Sequence, residues 1–235
     1  MQNTALGGAL AALLAFAFAG PALAQSKNLA PGFTAIPKGA KVVIMPTDIE
    51  LFSISAGGIP EPKADWTEAA VKHFKAALLA KKQNLGLPTV ELTSQQADEV
   101  EELNALHGAV ARAINVHHFG QLALPTKDGK LEWSLGEPAQ VIKTMTGADY
   151  ALFSWVRDSY ASDERKAAMV AIAVLTMGRA VATGGMQTGY ASLVDLNTGR
   201  VMWFNRLLRQ SGDLREADKA AETLDTLLDK FPVSK

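Results

Sequence analysis

The sequence predicts an α/β fold with an antiparallel portion at one side, and three observations carry that prediction. Strand-like and helix-like patterns alternate in the order strand, helix, strand, helix, helix, strand, hairpin, helix. The helical segments repeat apolar residues at helical spacing, whereas the strand segments are short β-branched or aromatic runs bounded by Gly, Pro and Asp. Near the C-terminus, SLVDLNTGRVMWFNR (192–206) holds two apolar runs joined by Asp195-Leu196-Asn197-Thr198-Gly199.

Taken in order, SKNLAPGFTAIPK (26–38) is rich in turn formers, so residues 25–40 read as an extended lead-in. KVVIMP (41–46) is a β-branched run closed by proline, suited to a strand buried on both faces. After the Gly/Pro-rich SAGGIPEPK, Asp65 is placed to cap a helix with Glu68 three residues on, and Ala70, Phe74 and Leu78 mark its apolar face over 66–83. TVEL after Pro88 predicts a short strand. Ser94 opens a helix of 95–118 through Val100, Leu103, Leu106, Val110 and Ile114. A turn at Lys127-Asp128-Gly129-Lys130, a short helix stopped by Gly147 and an aromatic strand over 148–160 follow. The hairpin comes next, and a last helix over 214–231 ends at Pro232.

The unusual element is DERKAAMVAIAVLTMGRAVATGG (163–185), an apolar helical insertion between two strands. Residues 167–177 carry no charge, yet eleven residues fall short of the ~20 that cross a bilayer as a helix. Two readings follow. The segment packs against its own sheet, or Met169, Val170, Ile172, Leu175 and Met177 form a contact surface for a partner or a membrane.

The search for chemistry is mostly a series of exclusions. His107 lies ~15 Å along a helix from His117 and His118, so the three cannot share an ion within it, and they read as helix-end and surface residues. HExxH, GxSxG and phosphate-loop spacings do not occur, so no catalytic residue, cofactor or metal ligand is assigned. Arg157, Asp158, Asp163 and Glu164 form a charged cluster that reads as a solvated strand end. The 195–199 turn has three readings: half a calcium loop, one propeller blade, or a hairpin. The late acidic ligand and the repeats are missing, which leaves the hairpin, with Asp195 bonding turn amides, Asn197 or Gly199 at positive φ, and Trp203 packed.

The N-terminal MQNTALGGALAALLAFAFAGPALAQ reads as a signal peptide, residues 1–24, cleaved after Ala24. The 235 residues include no cysteine, which excludes a disulfide scaffold and the usual lipid-bearing cysteine, so the expectation is a periplasmic protein without a lipid anchor. Twenty-three basic against twenty-four acidic residues leave a formal charge of −1, which gives no nucleic-acid footprint. Residues 41–235 read as a single α/β domain.

GADYALFSWVRDSY, then GYASLVDLNTGRVMWFNR, then a closing helix, resemble bacterial envelope proteins of the CsgG, TolB N-terminal domain and LpoB-type group. The shared phrasing is Gly147-Ala148-Asp149 opening a strand, Leu193-Val194-Asp195-Leu196 ending another, Thr198-Gly199, and Trp203. The resemblance implies a three-layer mixed sheet with helices, anticodon-binding-like, with a C-terminal antiparallel hairpin and closing helix. It implies no catalysis: an accessory protein working by protein contacts with other envelope proteins in assembly, secretion or transport. A homo-oligomer and a peripheral membrane contact are compatible with it. The competing expectations are a periplasmic hydrolase with a nonlocal site around Asp158 or His117 and His118, and a structural protein held at a membrane surface.

Overall fold

A computed structural model describes residues 26–85, 87–179 and 184–233; the expected signal peptide lies outside them. Its centre is a mixed sheet built on one long strand, β5 (Tyr150–Ala161). One edge of β5 pairs antiparallel with β6 (Gln187–Asp195), which pairs in turn with β7 (Val201–Arg209). Its other edge is shared by two strands laid end to end, β1 (Val42–Ile44) and β2 (Asp48–Ile54), both parallel to it. The link over 45–47 holds one residue more than the facing stretch of β5, and Ser154 Oγ bonds Thr47 Oγ1 across this bulge at 2.9 Å. Two three-residue strands finish the sheet: β3 (Pro60–Pro62) beside β2 and β4 (Thr89–Glu91) beside β1.

Alternation along β5 divides the core. Leu152 and Val156 join Ala70, Phe74 and Leu78 of α1 (Ala64–Leu85) and Ala220, Leu224 and Leu227 of α6 (Ala217–Leu227) on one face. Ala151, Phe153 and Trp155 join Leu103, Ala111 and Ile114 of α3 (Glu101–Ile114) and Ile142 of α4 (Gln140–Thr146) on the other. The result is the expected three-layer α/β arrangement, with hairpin and closing helix in place. The lead-in packs as well as leads: Ala30, Phe33 and Ile36 are buried, and backbone bonds from Ala30 to Met202 and from Phe204 to Asn28 cover the outer edge of β7.

Several local readings are corrected. Strands β2 and β3 occupy the stretch between KVVIMP and the first helix, where none was expected; β2 buries Ile49, Leu51 and Ser53 in strict alternation. Helix α1 starts at Ala64, so Asp65 sits in its first turn and not at its cap. The expected 95–118 helix is broken at Val100 into α2 (Ser94–Glu99) and α3, followed by a π-helical turn over Asn115–Phe119. The capping box belongs to Thr93 with Gln96, one residue ahead of the expected start. The last helix is shorter than its pattern, Ala217–Leu227 in place of 214–231.

The 195–199 turn is a hairpin. Asp195 accepts from the Asn197 amide at 3.0 Å and from the Thr198 hydroxyl at 2.7 Å, and Gly199 takes the left-handed φ of 69°. A Cβ at Gly199 would lie 2.2 Å from the Gly136 carbonyl, so glycine is required twice over. Gln140 and Lys143 of α4 grip Asn197, and Trp203 is fully buried against Phe231.

Candidate interaction surface

At one end of the sheet β5 runs into α5 (Asp163–Leu175). Ser162 caps the helix with Oγ accepting from the Arg165 amide at 3.2 Å, and Asp163 and Glu164 occupy the first turn, where the helix dipole favours negative charge. Its end is local too: Met177 and Gly178 take left-handed φ of 51° and 76°.

No residue of α5 is buried. Val170 is 64% exposed, Val174 72%, Leu175 82% and Met177 89%, with Ile172 also exposed and Met169 half-buried on the sheet side. Of the five residues singled out in the insertion, Met169 is half-buried toward the sheet and the other four are exposed; residues 180–183 of the insertion lie outside the described residues. Ala167, Val170, Ala171, Val174 and Leu175 recur at i, i+3, i+4, i+7 and i+8, and all five are exposed, so a continuous stripe points away from the domain. The sole polar side chain within 167–177 is Thr176, whose hydroxyl donates to the Ile172 carbonyl at 2.8 Å. Ile59, on the turn before β3, and Met186, just ahead of β6, add further exposed apolar surface at this end of the sheet. Neither they nor Val174 were singled out from the sequence; only the pairing of Ile54 with Ala161 brings the Ile59 turn to the start of α5.

Beneath α5 lies a half-open cavity of about 240 Å³ lined by Asp158, Tyr160, Lys166, Met169, Gln187 and Arg215. Asp158 is buried, not the solvated strand end read from the sequence. Its carboxylate accepts from the Tyr160 hydroxyl, from Gln187 Nε2 at 2.6 Å and from the Ser159 amide at 2.9 Å. Burial pushes this carboxyl above its usual range against the opposing pull of those hydrogen bonds. Burial, with Asp158 adjacent, also raises the Tyr160 phenol well above its ordinary value. Gln187 passes the network on, accepting from Arg209 Nε at 2.9 Å and from the Thr223 hydroxyl at 3.0 Å. The cluster stitches β5, β6, β7 and α6 together.

The histidines do not converge, and two of them are not surface residues. His107 is buried, stacked on Phe153 at 4.7 Å and bonded through Nε2 to Ser192 Oγ at 2.8 Å. Burial depresses its pKa to about 3. His118 is buried with Nε2 donating to the Lys27 carbonyl at 2.8 Å, and its pKa is lowered by the same cause. His117 is half-buried and donates through Nδ1 to the Leu122 carbonyl at 2.7 Å. Among the described residues no group of three or more His, Asp or Glu is gathered to hold a metal ion. No described helix is long and apolar enough to cross a membrane.

No family model and no curated protein matches the chain. Among solved structures it is similar to the PelC dodecamer from Paraburkholderia phytofirmans: 14% identity, 86% of this chain and 94% of that chain covered, TM-score 0.37. It is also similar to lipoprotein GNA1162 from Neisseria meningitidis, at 13% identity with 82% and 99% covered and a TM-score of 0.32. A third is the LpoB C-terminal domain from Escherichia coli, at 16% identity with 77% and 87% covered and a TM-score of 0.30.

Proposed function

We propose that this chain is a non-catalytic accessory protein of the bacterial envelope, exported to the periplasm, that acts through protein contacts made by α5. The observation that carries the reading is a helix of thirteen residues with an outward apolar stripe and no buried residue. Burying Val174 and Leu175 against a partner is worth roughly 1.5–3 kcal/mol per side chain, a driving force that the isolated chain leaves unused. The two places offered for hydrolysis support it from the other side. The Asp158 carboxylate is occupied by three donors, and the ring nitrogens of His117 and His118 that make hydrogen bonds are spent on backbone carbonyls.

A photo-crosslinking amino acid placed at Val174 in the expressed full chain tests the proposal. Protein adducts are expected from Val174 and not from Leu208, another exposed side chain, on β7. No adduct at Val174, with normal accumulation of the protein, rejects α5 as a contact surface.

A further inference from the structure

We infer that Arg112, Arg206 and the Tyr190 hydroxyl form an anion site that takes the phosphoryl group of a phosphate monoester. The site lies on the face of the sheet that α3 covers and does not depend on the reading of α5. Strand register builds it. Trp155, Tyr190 and Arg206 are directly opposite one another on β5, β6 and β7, so their side chains share one rung and one face. The Tyr190 ring stacks on Trp155 with centroids 5.1 Å apart and continues to Phe204 at 5.8 Å. Helix α3 brings the remaining member. A Cβ at Gly108 would lie 3.2 Å from Trp155 Cδ1, so glycine lets the helix come close there, and Arg112, one turn on, lies over the same indole at 5.7 Å from its centroid. Arg206 is held from its own strand, its guanidinium 5.1 Å from the Phe119 ring and Nη1 donating to Asn115 Oδ1 at 2.9 Å.

Three features single out an anion. Arg157 also stacks on Trp155 but is neutralised by Asp48 and Glu50, whereas among the described residues neither Arg112 nor Arg206 has a carboxylate within ion-pair distance. Tyr190 is only 4% exposed, yet its hydroxyl has no hydrogen-bond partner among the described residues. Burial raises the pKa of that phenol while Arg112 and Arg206 both pull it down, so the two cations stand close to one hydroxyl. The dipole at the C-terminal end of α3 accounts for Arg112 but not for Arg206, which comes from a strand. Two planar, permanently charged donors beside a hydroxyl match the several oxygens and double charge of a phosphate monoester.

Titrating the full chain with inorganic phosphate at constant ionic strength is expected to move the amide NMR signals of Arg112, Tyr190 and Arg206. R112Q/R206Q changes two exposed side chains and is expected to weaken binding more than about tenfold. Y190F keeps the stacked ring, loses only the hydroxyl, and is expected to weaken binding about fivefold. K72Q/K75Q removes the same charge from exposed positions on α1 and is expected to change nothing. Flotation with vesicles of phosphatidic acid in phosphatidylcholine separates the two sources of the group. Flotation that R112Q/R206Q abolishes makes the ligand a lipid headgroup; phosphate binding without flotation makes it a soluble ester. The site is overturned if the chain neither binds phosphate nor floats, if R112Q/R206Q binds as well as the unaltered chain, if K72Q/K75Q weakens binding equally, or if chloride moves the same signals as far.

Discussion

Helices α5 and α6 invert the usual relation between hydropathy and burial. α6 reads ADKAAETLDTL, with four charged residues, yet it buries Ala220, Thr223, Leu224 and Leu227 against the sheet and α1. α5 reads DERKAAMVAIAVL, with nothing charged after Lys166, and buries none. What differs is the seat. The apolar residues of α6 sit at a spacing that one face can use, and that face meets the groove made by β6, β7 and α1. α5 leaves β5 where the sheet ends, so its stripe meets no surface among the described residues. That exposure is the observation on which the proposed contact surface rests.

That contrast can be broken by mutation, and the largest effect belongs to α6. Leu224→Ala removes a side chain buried in the core and should cost about 3 kcal/mol in urea unfolding, whereas Leu175→Ala should cost less than about 0.5 kcal/mol. Equal losses would mean that α5 is seated after all.

Acid comes next, because the packed layers hold a buried titratable group in His107 of α3. Its folded pKa, about 3, lies below its ordinary 6.5, so the unfolded chain binds the proton first and stability falls as pH drops from 6.5 toward 3. The loss is about 1.4 kcal/mol per pH unit, or roughly 3 kcal/mol by pH 4. Subtracting the profile of His107→Leu isolates this slope from Asp158, whose raised pKa acts with the opposite sign by removing stability as pH rises above 3.8. A variant that keeps the full slope would place the acid sensitivity elsewhere.

The smallest effect is Ser162→Ala. Losing this cap costs an exposed helix about 1 kcal/mol, and because α5 buries no residue in the core the loss should stay local. Amide exchange over 165–175 should quicken about fivefold while global unfolding hardly moves; a matching drop in global stability would tie α5 to the core.

How much of this was legible follows from where each signal resides. The aromatic strand, the hairpin and the α1 pattern are written in neighbouring residues, and the structure has them, down to Gly199 at positive φ. β2 gives a weak local signal because DIELFSI interleaves its buried residues with Asp48 and Glu50 and includes a buried Ser53, which weakens the apolar run. The break at Val100 carries no Gly or Pro; the residue turns out of the helix while its side chain goes into the core. His107 is buried by a partner 85 positions away, and no local pattern announces that. The same holds for α5: its apolarity is plain in the sequence, but whether anything covers it depends on the far ends of the sheet.

The strand shared by β1, β2 and β6 also sets an order on folding. Thr47 and Ser154 meet across 107 residues, and every parallel pairing of β5 spans a comparable loop. Closing such a loop costs about 4 kcal/mol of chain entropy before any ladder bond repays it. Until residue 161 has been made, β1 and β2 lack the long strand they share and have only the three-residue β4 and β3 beside them. A sheet held by pairings this distant in sequence gains its central contacts late in folding.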